Sequence, residues 1–138
     1  MYLLDTCVLS ETRKKKPDPK VMDWLSRQDP NLLFLSAVSI GEIRSGIASL
    51  GLTKKARELS AWLTDLEKAF ASRILSVNLT VAECWGETMA AAAKAGFSRP
   101  PVDVLIAACA KVDNMTLVTR NVDDMSHMGV KIFNPFTS

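Results

Sequence analysis

The chain has 138 residues, 48% of them hydrophobic and 23% charged, with 17 Lys and Arg against 15 Asp and Glu for a formal charge of +2. At about 150 residues per domain this length argues for one domain, residues 1–138, with a core large enough to need no staples. The balance excludes a long disordered chain and falls short of the basicity that would by itself announce a nucleic-acid binder.

The first apolar run, Tyr2–Leu4, predicts a strand, and a helical segment follows over Val8–Thr12. Thr12–Lys20, charged and carrying two prolines, predicts a loop between elements. A helix is expected over Pro19–Arg27, and Leu32–Leu35 is too short for anything but a second strand. Ser39–Leu50 predicts a helix with Ile43, Ile47 and Leu50 on one face. Lys54–Phe70 is the clearest helix, with Leu59, Leu63, Leu66 and Phe70 recurring at helical spacing. Ile74–Val77 predicts a strand. Thr80–Ala95 predicts a helix opened by a Thr80/Glu83 capping box and stopped at Gly96. Pro101 suits the start of a helix running to Lys111, and strands are expected over Met115–Thr119 and Val130–Phe133.

Strands alternating with helices predict an α/β fold: a three-layer α/β/α arrangement around a short, mostly parallel central sheet of four to five strands. Sites in such sheets form beyond the carboxyl ends of the strands, near a reversal of strand order. The three cysteines, Cys7, Cys84 and Cys109, are odd in number and form no CxxC pair, which argues against a disulfide scaffold or a zinc ribbon. No apolar run approaches the roughly 18 residues of a membrane span. Asp5 interrupts the first apolar residues, so neither a secretory signal nor a membrane partner is expected, and a cytoplasmic location is.

Acidic residues occupy the informative places. Asp5 directly follows the first strand and alone reads as a helix N-cap. Glu42 stands three residues after Ser39, a capping-box spacing, yet it flanks the apolar stripe of Ile43 and Ile47. Asp103 shares a helix face with Ile106, Ala107 and Ala110. Asn121 and Asp124 follow the Met115–Thr119 strand, where turn formation is the bland account, and Asp123 reads as a solvated neighbour. Each is ordinary alone. Together they fall where a parallel fold converges, and like charges gathered there raise one another's pKa unless a divalent cation neutralises them. Oxygen ligands of this kind favour Mg²⁺ or Mn²⁺ over zinc.

LLDTCVLSE at the start, SIGEIRSGI in the third helix, PPVDVLIAACA and LVTRNVDDM resemble the PIN-domain toxins of the VapC and FitB type, a likeness running from Leu3 to the final FNPF. The resemblance implies a parallel sheet between helices and a Mg²⁺- or Mn²⁺-dependent endoribonuclease. Its metal-site acids would be Asp5, Glu42 and Asp103. The fourth position falls on Asn121, where many relatives have Asp, or on Asp124 slightly later. Position 7, often Asn in relatives, is Cys7, from which packing and no chemistry is expected. The resemblance further implies a homodimer, a VapB-like antitoxin and a toxin–antitoxin assembly on operator DNA. An antitoxin segment would enter a groove formed by Lys54–Phe70 with the helix before it.

The resulting expectation is metal-assisted hydrolysis of single-stranded RNA, with Asp5 and Asp103 holding a cation and Glu42 serving a second ion or a water. Asn121 belongs to this catalytic set. Thr119, Arg120 and Arg44 are the expected substrate contacts, with Arg99 and the Arg13–Lys16 run as further cations. Trp24, Trp62 and Trp85 are candidate stacking platforms, but Trp62 and Trp85 sit in helix stripes and are expected instead to pack the core or an interface, and His127 to lie at the surface without a catalytic part. One alternative is a catalytically weak binding module that acts in a DNA-bound regulatory complex with its antitoxin. Another is an aspartyl phosphotransferase, for which Cys7 stands where a second Asp belongs.

Overall fold

The chain begins with strand β1 (Tyr2–Leu4), and helix α1 (Thr6–Thr12) starts two residues ahead of its expected place because Asp5 caps it. The structure, a computed structural model, describes residues 1–137. Helix α2 (Pro19–Arg27) follows, capped by Asp18, with β2 (Leu33–Ser36) after a short 3-10 turn. Helices α3 (Ala37–Ser49) and α4 (Lys54–Phe70) form the next pair. Then come β3 (Ile74–Leu75), α5 (Leu79–Lys94), α6 (Pro101–Val112) and β4 (Thr116–Val118). A short helix α7 (Val122–Met125), where only a turn was expected, leads to β5 (Ile132–Phe133).

Two expected capping boxes do not form. Ser36, not Ser39, caps α3, accepting from the Val38 N–H at 3.1 Å, and Ser39 lies buried one turn inside. Asn78 caps α5 by accepting from the Val81 N–H at 3.0 Å, which leaves Thr80 and Glu83 in the first turn. In both helices a side chain two or three residues earlier captures the orphan N–H first.

Helices α5 and α6 end alike. Gly96, at φ +83°, lets its N–H reach the Ala93 carbonyl and the Phe97 N–H reach Ala92. Asn114, at φ 52°, does the same after α6, with the Met115 N–H on the Ala110 carbonyl at 2.8 Å. Both are Schellman stops, and the second turns the chain directly into β4.

The sheet is parallel throughout, in the order β3-β2-β1-β4-β5. Alternation splits its side chains between two cores. Leu3, Phe34, Leu117 and Ile132 face α5 and α6, whereas Leu4, Leu33, Leu35 and Val118 face α1, α2 and α3. Helices therefore cover both faces, and the central strands need no polar side. From β1 the chain moves outward through β2 and β3, then returns so that β4 lies on the other side of β1. The reversal of order falls between β1 and β4, and it opens the crevice beyond their carboxyl ends.

Candidate active site

Asp5 leaves the end of β1 with only 5% of its surface exposed. One carboxylate oxygen accepts from the Thr6 N–H at 2.8 Å, and the other accepts from the Thr119 hydroxyl at 2.7 Å. The capping role and the placement in the crevice are thus the same geometry. Thr119 ends β4, and its oxygen in turn accepts from the Asn121 N–H at 3.0 Å. These bonds lace the loops after β1 and β4 together. Thr119 is fully buried, and its hydroxyl donates to Asp5 while accepting from the backbone.

Cys7 joins the same lacing. Its sulfur accepts from the Arg120 N–H at 3.5 Å and lies 3.8 Å from both Asp5 and Thr119. Burial first, then the Asp5 carboxylate, push its pKa up, which keeps the thiol neutral.

Glu42 projects from the second turn of α3 and is exposed, so no burial penalty attaches to it. It accepts from the Thr6 hydroxyl at 2.8 Å, a contact unforeseen because Thr6 is 36 positions away in sequence. Asp103 lies half-buried in the first turn of α6, where the helix dipole favours a carboxylate. Even so its pKa is raised, by burial first and then by Asp5, Glu42 and Asp124. Carboxylates from three other segments therefore act on Asp103 across one crevice. The Arg99 guanidinium opposes them, and it pairs with Asp124 at 3.0 Å. Asn121 is exposed and stands at the start of α7, making no side-chain capping bond. As they are oriented, no three His, Cys, Asp or Glu side chains among the described residues stand close enough to hold one ion.

The other expected cations are differently employed. The Arg44 guanidinium bonds Ser60 on α4 at 3.1 Å. The Arg120 guanidinium lies 3.8 Å over the Phe136 ring and 3.9 Å from the buried Glu11. Glu11 is one residue the sequence reading overlooked. It accepts from the Asp18 N–H at 2.8 Å and pairs with Lys14 at 2.7 Å, so it braces the loop after α1 against the loop after β4. Those contacts hold its pKa below the usual range, Lys14 contributing most. Its place in the run DTCVLSE, one helical turn past Val8 on the covered face of α1, was the signal available. His127 is exposed and stacks on Phe97.

The profile of the PIN domain matches residues 2–131. The chain belongs to the PIN-domain family. Its fold agrees with that of solved relatives. VapC ribonuclease Y4jK of Sinorhizobium fredii is 31% identical over 137 residues, which span 99% of this chain and 98% of that protein. Toxin FitB of Neisseria gonorrhoeae is 34% identical over 137 residues, 99% of each. Among solved structures, FitAB bound to the IR36 DNA fragment superposes on 99% of this chain and 96% of that one, with a TM-score of 0.91 and 34% identity. The five-stranded sheet of this PIN domain is parallel throughout rather than mostly so, and no helix among the described residues is long and apolar enough to cross a membrane.

Proposed function

We propose that this PIN domain is a divalent-metal-dependent endoribonuclease, the toxin half of a toxin–antitoxin pair, hydrolysing RNA phosphodiester bonds. The observation that carries the reading is the convergence of Asp5, Glu42, Asp103 and Asp124 on one crevice, where burial first and then the other three carboxylates raise the pKa of Asp103 against a single opposing guanidinium, Arg99. Structural acids are ordinarily paired with cations, whereas here one guanidinium faces four acids. The relatives' names, a VapC ribonuclease and a FitB toxin, point the same way.

The donor chemistry fits a hard cation, because Asp5, Glu42, Asp103, Asp124 and Asn121 all offer oxygen. Asp5, Asp103 and Glu42 would hold Mg²⁺ or Mn²⁺, with Asp124 or Asn121 as the fourth member. Such an ion supplies Lewis acidity, acidifying water and offsetting charge on the phosphate. The chain's own part is positional. Thr119 and the Thr6 N–H fix both oxygens of Asp5, so that carboxylate is preorganised before any ligand arrives. Thr6 steadies Glu42 for the handling of a water proton. Asn121, held by its N–H on Thr119, can donate from its amide to a phosphate oxygen. Arg99 neutralises Asp124 while the crevice carries no other cation.

A VapB-like antitoxin, a homodimer and a larger assembly on operator DNA complete the proposal, supported by the DNA-bound FitAB neighbour. RNA as substrate places the activity in the cytoplasm. The deciding experiment incubates partner-free protein with a pool of cellular RNA and Mg²⁺ or Mn²⁺. Cleavage should vanish with chelator and fall about a hundredfold or more in Asp5→Ala. No cleavage in any lane, together with no metal binding by calorimetry, would replace the enzyme with the DNA-bound binding module.

A further inference from the structure

Arg99 faces the acidic crevice, yet its donors are poorly spent. The guanidinium opposes the charge on Asp103 and pairs with Asp124 at 3.0 Å. That Nη1 contact is the one hydrogen bond it makes among the described residues. Its Nε is buried with no partner. Arg73 shows how a structural arginine differs, since it donates to three backbone carbonyls, those of Ala69, Leu33 and Pro30. A buried donor left unpaired costs free energy that a permanent tie would avoid. Arg99 therefore sits where charge holds it, not where its donors fit.

The hold on Asp124 is weak enough to exchange. The Arg99 side chain is 21% exposed and that of Asp124 54%, and ion pairs open to solvent in this way contribute little. There is also room for the guanidinium to move. A cavity of about 380 Å³ adjoins it, lined by Phe97, Ser98 and Val104 together with Arg99 itself. The Phe97 ring lies 5.9 Å from the guanidinium carbon, within reach of a cation–π contact once Asp124 lets go. Phe97 in turn stacks on His127, just past α7, with ring centroids 3.7 Å apart. That stack ties the loop between α5 and α6 to the segment carrying Asp124 without help from the ion pair. The side chain can leave while the loop stays.

We propose that Arg99 is a displaceable counter-ion built into the crevice: its guanidinium holds Asp124 against a divalent cation, yields it when that cation binds, and turns back over Phe97 into the cavity. The inference rests on the metal-dependent reading and adds the residue that sets the metal concentration the site requires. Charge favours the exchange, because a guanidinium brings one positive charge to the carboxylates and a divalent ion brings two. Geometry favours it as well. A hard cation gathers oxygens from several sides, whereas a guanidinium presents its donors in one plane.

The test measures Mn²⁺ affinity by calorimetry in wild type, Arg99→Gln, Asp124→Asn and the double variant. Arg99→Gln should bind Mn²⁺ about fivefold more tightly, the equivalent of a partly exposed ion pair that no longer competes. Asp124→Asn should bind about tenfold more weakly. Adding Arg99→Gln to Asp124→Asn should then gain less than about twofold, because the rival has nothing left to hold. An equal gain in both backgrounds would mean that Arg99 acts through its field alone and would overturn the exchange. So would no gain in either, or an Asp124→Asn variant that binds as wild type does. No Mn²⁺ binding in any of the four proteins would overturn the metal-dependent reading itself. Movement is read separately in ¹⁵N-labelled wild type, where the Arg99 Nε–H resonance is assigned by its loss in Arg99→Gln. It should shift as Mg²⁺ saturates the protein, since the side chain changes neighbours. An Nε–H resonance that stays in place while the Asp124 backbone amide titrates would also overturn the exchange.

Discussion

Asp5 shows how one residue carries two roles at once. A carboxylate that caps α1 is also locked by Thr119 from the neighbouring strand, so its bland and its functional readings describe one geometry. Removing the hydroxyl tests the second. Thr119→Val keeps the volume but frees one Asp5 oxygen, and metal affinity should drop about 10- to 100-fold by calorimetry, as for other groups that orient a ligand. An undiminished affinity would mean Asp5 orients itself. Glu11 makes a prediction of the opposite kind, on stability. Its pKa is lowered in the folded chain, mainly by Lys14, so its stabilising charge is fully present above the ordinary carboxylate range and lost as pH falls through the lowered value. Glu11→Gln should flatten the acid limb of a denaturation-versus-pH series while leaving the neutral region's slope alone. An unaltered limb would place the acid sensitivity elsewhere.

At the scale of elements, periodicity located the helices and strands, but their ends were set by competition. The sequence offers Thr80/Glu83 as a capping box, and Asn78 takes the N–H of Val81 two residues earlier. Asn78→Ala should therefore cost about 1 kcal/mol in urea denaturation, and Thr80→Ala only a few tenths. The reverse order would restore the capping box. The same logic explains why Ser39 is buried and Ser36 caps α3. Arg73 shows a tie with no local signal: from the 3-10 turn after α4 it donates to the carbonyls of Ala69, Leu33 and Pro30, joining the helix to the entry of β2. Partners some 40 positions apart cannot be read from spacing.

At the scale of the molecule, the strand order brings four carboxylates into one crevice, and the fold tolerates their repulsion. A divalent cation should offset it. Mn²⁺ at about 100 times its Kd should raise the unfolding free energy by about 2.7 kcal/mol, visible as a higher Tm. Asp103→Asn should melt higher than wild type in chelator, because a group whose folded pKa is raised destabilises the fold once ionised, and it should gain less from Mn²⁺. Equal gains in both proteins would put the ion away from Asp103.

Composition and periodicity were enough to place the alternating elements, the parallel α/β class and the acids at strand ends, because side-chain spacing and strand length are local properties of the chain. The four short motifs were enough for the family. What spacing left open is everything that depends on which strands become neighbours. That Thr119 locks Asp5 follows from β4 returning beside β1, that Thr6 holds Glu42 follows from β2 pairing on the other side of β1, and Arg99 answers Asp124 only because the chain before α6 is brought to the segment after β4. Those contacts join residues up to 114 positions apart, and only the closing of the sheet makes them near.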